Sequence, residues 1–124
     1  MLDLDLVRLS VILVFIDIIY LTFVGGGPFM NMVGKIQHRE PTLNKISAAF
    51  TYVMMIILMH QFVINNNFTN KKVFLLGFLT YGIFDFTNMA LFSEYDVFIA
   101  IQDTIWGGLL FMITNIIFNK IKCN

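Results

Sequence analysis

The sequence predicts an all-α integral membrane protein, a four-helix bundle with a short interfacial helix between the first two spans. Three observations lead to this fold class. Of the 124 residues, 58% are hydrophobic and 13% are charged, and the mean hydropathy is +0.80, which departs from the balance of a soluble domain. Four apolar runs each approach the roughly 20 residues that a helix needs to cross a hydrocarbon core about 30 Å thick. No repeat or change of composition divides residues 1–124, so we expect a single transmembrane domain.

The predicted spans are residues 6–24, 46–64, 73–92 and 97–118. The first span has the position of a signal peptide, and small residues follow it. However, its head carries Asp3 and Asp5 instead of basic residues, and Asp17 interrupts its apolar region. A signal peptide has a basic head and an uninterrupted apolar region, so we expect this segment to be retained as a span.

The first connection opens with the run Gly25–Gly27 and Pro28, which we expect to end the first helix. Apolar residues then recur at i, i+3, i+4 and i+7, namely Phe29, Met32, Val33 and Ile36. This spacing is typical of a short amphipathic helix on the membrane surface, and an irregular loop whose apolar side chains touch the helix ends is the alternative. The other connections, residues 65–72 and 93–96, are predicted to be polar turns.

An even number of crossings puts both termini and the second connection on one side of the membrane. That side carries five of the basic residues, Arg8, Lys71, Lys72, Lys120 and Lys122, and the other side carries Lys35, Arg39 and Lys45. Because cytoplasmic segments carry an excess of Lys and Arg, the count favours cytoplasmic termini. The formal net charge is +0 and no basic cluster is present, so nucleic acid is not an expected partner.

Three spans each contain one aspartate, and these lie at a common depth. Counted from the span ends opposite the termini, Asp17 and Asp85 are seven residues deep and Asp103 is six. At about 1.5 Å per residue, all three are expected about 10 Å below one membrane face. Polar and aromatic residues share these helix faces or this level, namely Tyr20, Tyr52, Tyr81, Asn88 and Trp106. The spacing predicts one polar layer inside the bundle, and the indole of Trp106 is expected to pack or to donate a hydrogen bond there.

An aspartate at the centre of a span costs about 2.5 to 3.5 kcal/mol on insertion scales, so these side chains must face inward and find partners. No basic residue lies at their level. Their negative charge must then be removed by protonation, balanced by a bound cation or solvated by water. Asp17, Asp85, Asn88 and Asp103 are the predicted oxygen ligands of a proton or small cation. The alternative is that the acids only join the helices through hydrogen bonds.

The motifs FIDIIYL in the first span, YGIFDFTNMA in the third and QDTIWGG in the fourth resemble those of a family of small four-span membrane proteins, domain of unknown function 2177. The matching positions are Asp17, Tyr81, Gly82, Asp85, Thr87, Asn88, Asp103, Trp106 and Gly107. The sequence departs at Ile83 and Phe84, where the family has Thr and Tyr, and at Tyr20, where it has Trp. The resemblance implies a multi-pass membrane protein, adds Thr87 to the supporting residues and supplies no activity.

The preferred function is a carrier or channel-like protein for a proton or small cation, alone or as a homo-oligomer. A homo-oligomer is considered because four short helices barely enclose a pore. The rival is a structural or assembly protein of a cellular or viral membrane. The high content of Ile, Phe and Asn is consistent with an AT-rich genome such as that of a large virus. An intramembrane enzyme is the least favoured alternative, because the sequence has no Ser/His pair, no His-Glu-x-x-His and no cofactor fingerprint. No cofactor is expected beyond a bound cation.

Overall fold

The computed structural model describes residues 3–123, and these are helical over most of their length. The α-helices are α1 (Leu4–Tyr20), α2 (Gly26–Gln37), α3 (Lys45–Leu58), α4 (Asn70–Leu91) and α5 (Val97–Cys123). Two π-helical segments, Leu21–Gly25 after α1 and Met59–Ile64 after α3, prolong their helices. The described residues include no β-strand, and four helical stretches are long and apolar enough to cross a membrane. The predicted all-α class with four spans is confirmed.

A polar residue precedes each helix that begins a span. The side chains of Asp3, Asn44, Thr69 and Asp96 accept hydrogen bonds from backbone N–H groups of the first helical turn, at 2.8 to 3.3 Å. These N–H groups have no partner within the helix, so the caps satisfy donors that a bilayer could not. The starts of the spans therefore follow from single polar residues placed before apolar runs.

The prediction that Gly25–Gly27 and Pro28 end the first helix is wrong. Residues Leu4–Gln37 form one helical stretch of 34 residues. The N–H of Gly26 donates to the carbonyl of Leu21, five residues earlier, which is the bond of a π-helix. This wider turn comes just before Pro28. In a regular helix, proline has no backbone N–H to donate, and its ring clashes with the carbonyl group four residues earlier. The helix therefore continues through Pro28, with one π-helical turn before the proline, instead of ending there.

The amphipathic segment forms a helix, α2, which ends at His38 in the left-handed conformation with φ of 60°. Its apolar face is packed against protein. Met32 is buried against Tyr95 and Ala100, and Phe29 meets the Tyr95 ring edge-on with centroids 6.5 Å apart. Of the two interpretations of this segment, the helical one is confirmed, and its apolar residues cover the turn between α4 and α5.

The bundle is built on the antiparallel pair of α4 and α5, with α1 packed on α5 and α3 packed on α1. At the closest approach of α4 and α5, a methyl group on Gly77 would overlap the backbone carbonyl of Gly107. The main apolar core lies toward the termini and consists of Leu9, Ile12, Leu13, Met55, Met59, Val63, Val73, Leu110, Phe111 and Phe118. A smaller core of Met32, Tyr95 and Ala100 closes the opposite end.

Contacts between acidic side chains and His or Lys side chains join the helix ends that are predicted to share one side. The imidazole of His60 lies 3.5 Å from the carboxylate of Asp3, and the ammonium of Lys122 lies 3.9 Å from that of Asp5. These contacts bring the start of α1, the end of the α3 stretch and the end of α5 together. The same end of the bundle therefore holds the start of α1, the end of α5 and the second connection.

Candidate functional site

Asp17 joins three helices. Its side chain is 5% exposed on α1 and accepts a hydrogen bond on each oxygen. The Tyr52 hydroxyl of α3 donates to Oδ2 at 2.6 Å, and the Trp106 indole Nε1 of α5 donates to Oδ1 at 2.9 Å. Both oxygens have donors, so this carboxyl is a satisfied link between α1, α3 and α5.

The indole of Trp106 also packs against another ring, so it makes both a hydrogen bond and a packing contact in the layer. Its ring stacks on that of Tyr20 with centroids 4.1 Å apart and planes inclined by 9°. The Tyr20 hydroxyl accepts a hydrogen bond from the Gln102 amide at 3.1 Å. The stacked pair holds the indole N–H in position toward Asp17. Gln102 was not predicted, because a single glutamine near the end of a span gives no specific signal.

Asp85 and Asp103 form a pair of carboxyl groups between α4 and α5. Asp85 is 0% exposed, and its Oδ1 accepts a hydrogen bond from the Tyr95 hydroxyl at 2.7 Å. Its Oδ2 is buried and has no donor among the described residues. The carboxyl of Asp103 lies within hydrogen-bonding reach of Asp85. Two carboxyl groups in such contact can hold one proton between them.

Tyr95 is the site residue that sequence reasoning missed. It lies in the turn between α4 and α5, and its side chain folds back toward the layer. Burial raises the pKa of the Tyr95 hydroxyl, and so does its hydrogen bond to Asp85, so the hydroxyl stays protonated and donates. The predicted ligand Asn88 lies beside this same hydroxyl. A signal was present, because Tyr95 is the one aromatic residue in the otherwise polar turn 93–96.

The remaining predicted residues divide into those inside and outside the layer. Tyr81 lies among the three aspartates and donates its hydroxyl hydrogen to the sulfur of Met55 at 3.4 Å. Thr87 is exposed and lies on the outer face of α4, away from the layer. The four predicted ligands are not gathered as one cage, and residues 3–122 contain no group of three or more Asp, Glu, His or Cys side chains placed to hold a metal. The layer consists of a saturated link at Asp17 and a neighbouring pair, Asp85 and Asp103.

A cleft of about 320 Å³ adjoins the pair. It lies where the end of α1, its π-helical segment, α3 and the α4–α5 pair meet, and most of its walls are apolar. Six of the lining residues carry polar side-chain atoms, and one of these six is acidic; they are Tyr20, Thr51, Thr80, Tyr81, Gln102 and Asp103. Asp103 therefore contacts the buried Asp85 on one side and this cleft on the other.

The profile of one protein family, described as "Predicted membrane protein (DUF2177)", matches residues 4–118 of the chain. The match includes all three aspartates of the layer and the greater part of every span. No curated protein and no solved structure matches the chain.

Proposed function

The chain belongs to the DUF2177 family of membrane proteins, and we propose that this multi-pass protein binds and transfers protons at the Asp85–Asp103 pair inside the bilayer. The observation that carries the proposal is the contact of two carboxyl groups of which one is fully buried with an oxygen that lacks a donor. Two adjacent carboxylates in apolar surroundings cannot both remain charged, so the pair retains a proton or takes up a cation.

A proton fits this pair better than a metal ion does. A hard cation needs six or more oxygen ligands, whereas Asp17 already accepts a hydrogen bond on each oxygen. Asn88 lies beside the Tyr95 hydroxyl, which donates to Asp85. A proton needs only the two carboxyl oxygens that face each other. Asp103 takes up the proton from the side of the cleft, and Asp85 holds it in the interior.

The different surroundings of the two carboxyl groups support the proposal that a proton moves between them. Asp103 is half-buried and adjoins the cleft, whereas Asp85 is enclosed under the Tyr95 hydroxyl. The ionisable groups near the pair are the carboxyl group of Asp17 and the phenol hydroxyl groups of Tyr20, Tyr81 and Tyr95. We further propose that both termini face the cytoplasm and that the protein acts alone or as a homo-oligomer in its bilayer.

Proton flux into liposomes tests the proposal. Purified protein is reconstituted around a pH-sensitive dye, and an electrical potential is applied with a potassium gradient and valinomycin. We expect the native chain to acidify the lumen, and Asp85→Asn and Asp103→Asn to reduce the rate to that of protein-free vesicles. Asn holds no exchangeable carboxyl proton but preserves size and hydrogen bonding. Asp5→Asn is the matched control, because Asp5 lies outside the layer beside Arg8 and Lys122.

The competing function is a structural or assembly role in a cellular or viral membrane. The observation that favours it is the saturated link at Asp17, which joins three helices without needing an exchangeable proton. A native chain that gives no flux, or folded Asn variants that keep the native rate, would remove the proton proposal and favour the structural role. Repeating the flux measurement with sodium or magnesium gradients separates a cation carrier from a proton carrier.

A further inference from the structure

The cleft beside Asp103 has the size and surface of a small-molecule site. Its volume of about 320 Å³ is at the lower end of the range of about 300 to 1,000 Å³ that such sites occupy. The apolar part of its wall includes Leu21, Phe29, Phe84 and Ile99. This volume admits one alkyl chain or a similarly small apolar group.

The polar part of the wall contains one acidic residue. Asp103 is the ionisable carboxyl on the cleft, and Tyr20 and Gln102 stand beside it. The ionisable groups that face Asp103 are Asp85 and Tyr81 from α4, Asp17 and Tyr20 from α1, and Tyr95 from the turn. None of these groups is basic, and α3 contributes Thr51 and Met55 to the cleft, which do not ionise. Within the described residues, the positive charge that would complement Asp103 is not supplied by the chain.

We infer that this cleft binds a lipophilic amine, with one alkyl chain along the apolar wall and the protonated amino group against Asp103. The inference rests on the proposed function, because the amine and a proton compete for the same pair. With one shared proton the pair carries a single negative charge, which the ammonium group neutralises. A second proton removes that charge, so acidification weakens amine binding. No covalent bond forms or breaks.

Trp106 can report on this cleft through Tyr20. It is the single tryptophan of the chain, and it stacks on Tyr20, whose ring lines the cleft. Decylamine is titrated into the native protein in lipid nanodiscs while tryptophan fluorescence is recorded, and decanol serves as the uncharged probe of the same chain length. We expect a saturable response to decylamine that weakens on acidification. Asp103→Asn is expected to weaken decylamine binding at least about tenfold and to leave decanol binding unchanged.

A second variant keeps the test decisive if Asp103→Asn does not fold. Thr51→Phe adds a ring to an exposed position on the cleft wall and is expected to abolish decylamine binding by filling the cleft. Val53→Phe is the matched control, because Val53 is exposed on the same helix and lies outside the cleft lining. Neither variant adds a tryptophan, so the readout is unchanged.

Three results would overturn the inference. They are the absence of a saturable response in the native protein, equal decylamine binding by folded Asp103→Asn, and binding that does not depend on pH. The last two results would assign the cleft to alkyl chains alone. Proton flux without decylamine binding removes this inference and leaves the proposed function, whereas pH-dependent decylamine binding without flux removes the proposed function and leaves the amine site.

Discussion

Asp17 and Asp85 are both buried aspartates within spans, but their oxygens are bonded differently. Asp17 accepts hydrogen bonds on both oxygens, from Tyr52 and Trp106. Asp85 accepts one from Tyr95, and its second oxygen has no donor among the described residues. A satisfied polar group in a protein interior stabilises packing, whereas an unsatisfied one destabilises the fold unless a proton or ligand completes it. The two residues therefore have different expected roles.

At Asp17 the negative charge is expected to be dispensable. In Asp17→Asn, the amide oxygen can accept from Trp106, while the amide N–H donates to Tyr52, whose hydroxyl both donates and accepts. We expect Asp17→Asn to lower the free energy of unfolding by less than about 1 kcal/mol and Asp17→Leu to lower it by about 1 to 3 kcal/mol for each donor left unpaired. Reversible unfolding in mixed detergent measures both values. Equal destabilisation by the two variants would contradict the structural role and assign a need for charge at this position.

At the scale of the element, the antiparallel pair of α4 and α5 depends on two glycines. A methyl group on Gly77 would overlap the carbonyl of Gly107, and one on Gly107 would overlap the Tyr81 ring. Association of helices in a bilayer relies on close backbone approach, because lipid tails are as apolar as the side chains. This approach brings Asp85 and Asp103, one on each helix, into contact. The glycines are thus part of what positions the carboxyl pair.

Gly77→Ala is expected to separate α4 from α5 and to lower the free energy of unfolding by about 1 to 3 kcal/mol, since the added methyl group meets backbone that cannot move aside. Gly27→Ala is the matched control, because a methyl group there meets no atom within 4 Å. Alanine is favoured over glycine in a helix interior by about 0.5 to 1 kcal/mol, so the control should be neutral or stabilised. Unfolding in mixed detergent compares the two, and a Gly77→Ala variant as stable as the control would contradict the close contact.

In the whole molecule, helices are joined at both ends of the bundle, by contacts of charged and polar side chains at one end and by apolar packing at the other. A contact of Asp3 with His60 and an ion pair of Asp5 with Lys122 join the end where α1 begins and α5 ends. At the other end, α2 covers the turn of Tyr95 through Met32 and Phe29. The carboxyl layer lies between these ends. Tyr95 and the α2 residues packed on it shield Asp85 at this end of the bundle, whereas Asp103 lines the cleft.

The four crossings predict opposite labelling of the two ends. In intact cells, a maleimide that does not cross membranes is expected to label Glu94→Cys in a Cys123→Ser background and to leave the native chain unlabelled at Cys123. Residue 94 lies in the turn between α4 and α5, and residue 123 ends α5 on the other side. Permeabilised cells should show labelling of both proteins. The reverse pattern would place residue 123 outside the cell, and labelling of both positions in intact cells would contradict a crossing of the membrane by α5.

The spans and the common depth of the acids follow from the sequence alone. A bilayer requires each crossing segment to satisfy its own backbone, so a run of about 20 apolar residues specifies a helix and its rise specifies the depth of every side chain. This is why Asp17, Asp85 and Asp103 were assigned to one level before any packing was known. Caps such as Asn44 and Thr69 are equally local, because they act on the next turn of the same chain.

The pairing within the layer was decided by tertiary structure. The rotation of each helix about its axis depends on packing with distant segments. The depth of the aspartates in the membrane therefore does not predict that Asp17 meets Tyr52 and that Asp85 meets Asp103. Tyr95, which donates to Asp85, packs against Met32 of α2, and α2 continues the first helix beyond the π-helical segment. Composition and periodicity describe each segment in isolation. Contacts between segments determine which carboxyl group has a donor on each oxygen and which one keeps an oxygen without a donor among the described residues.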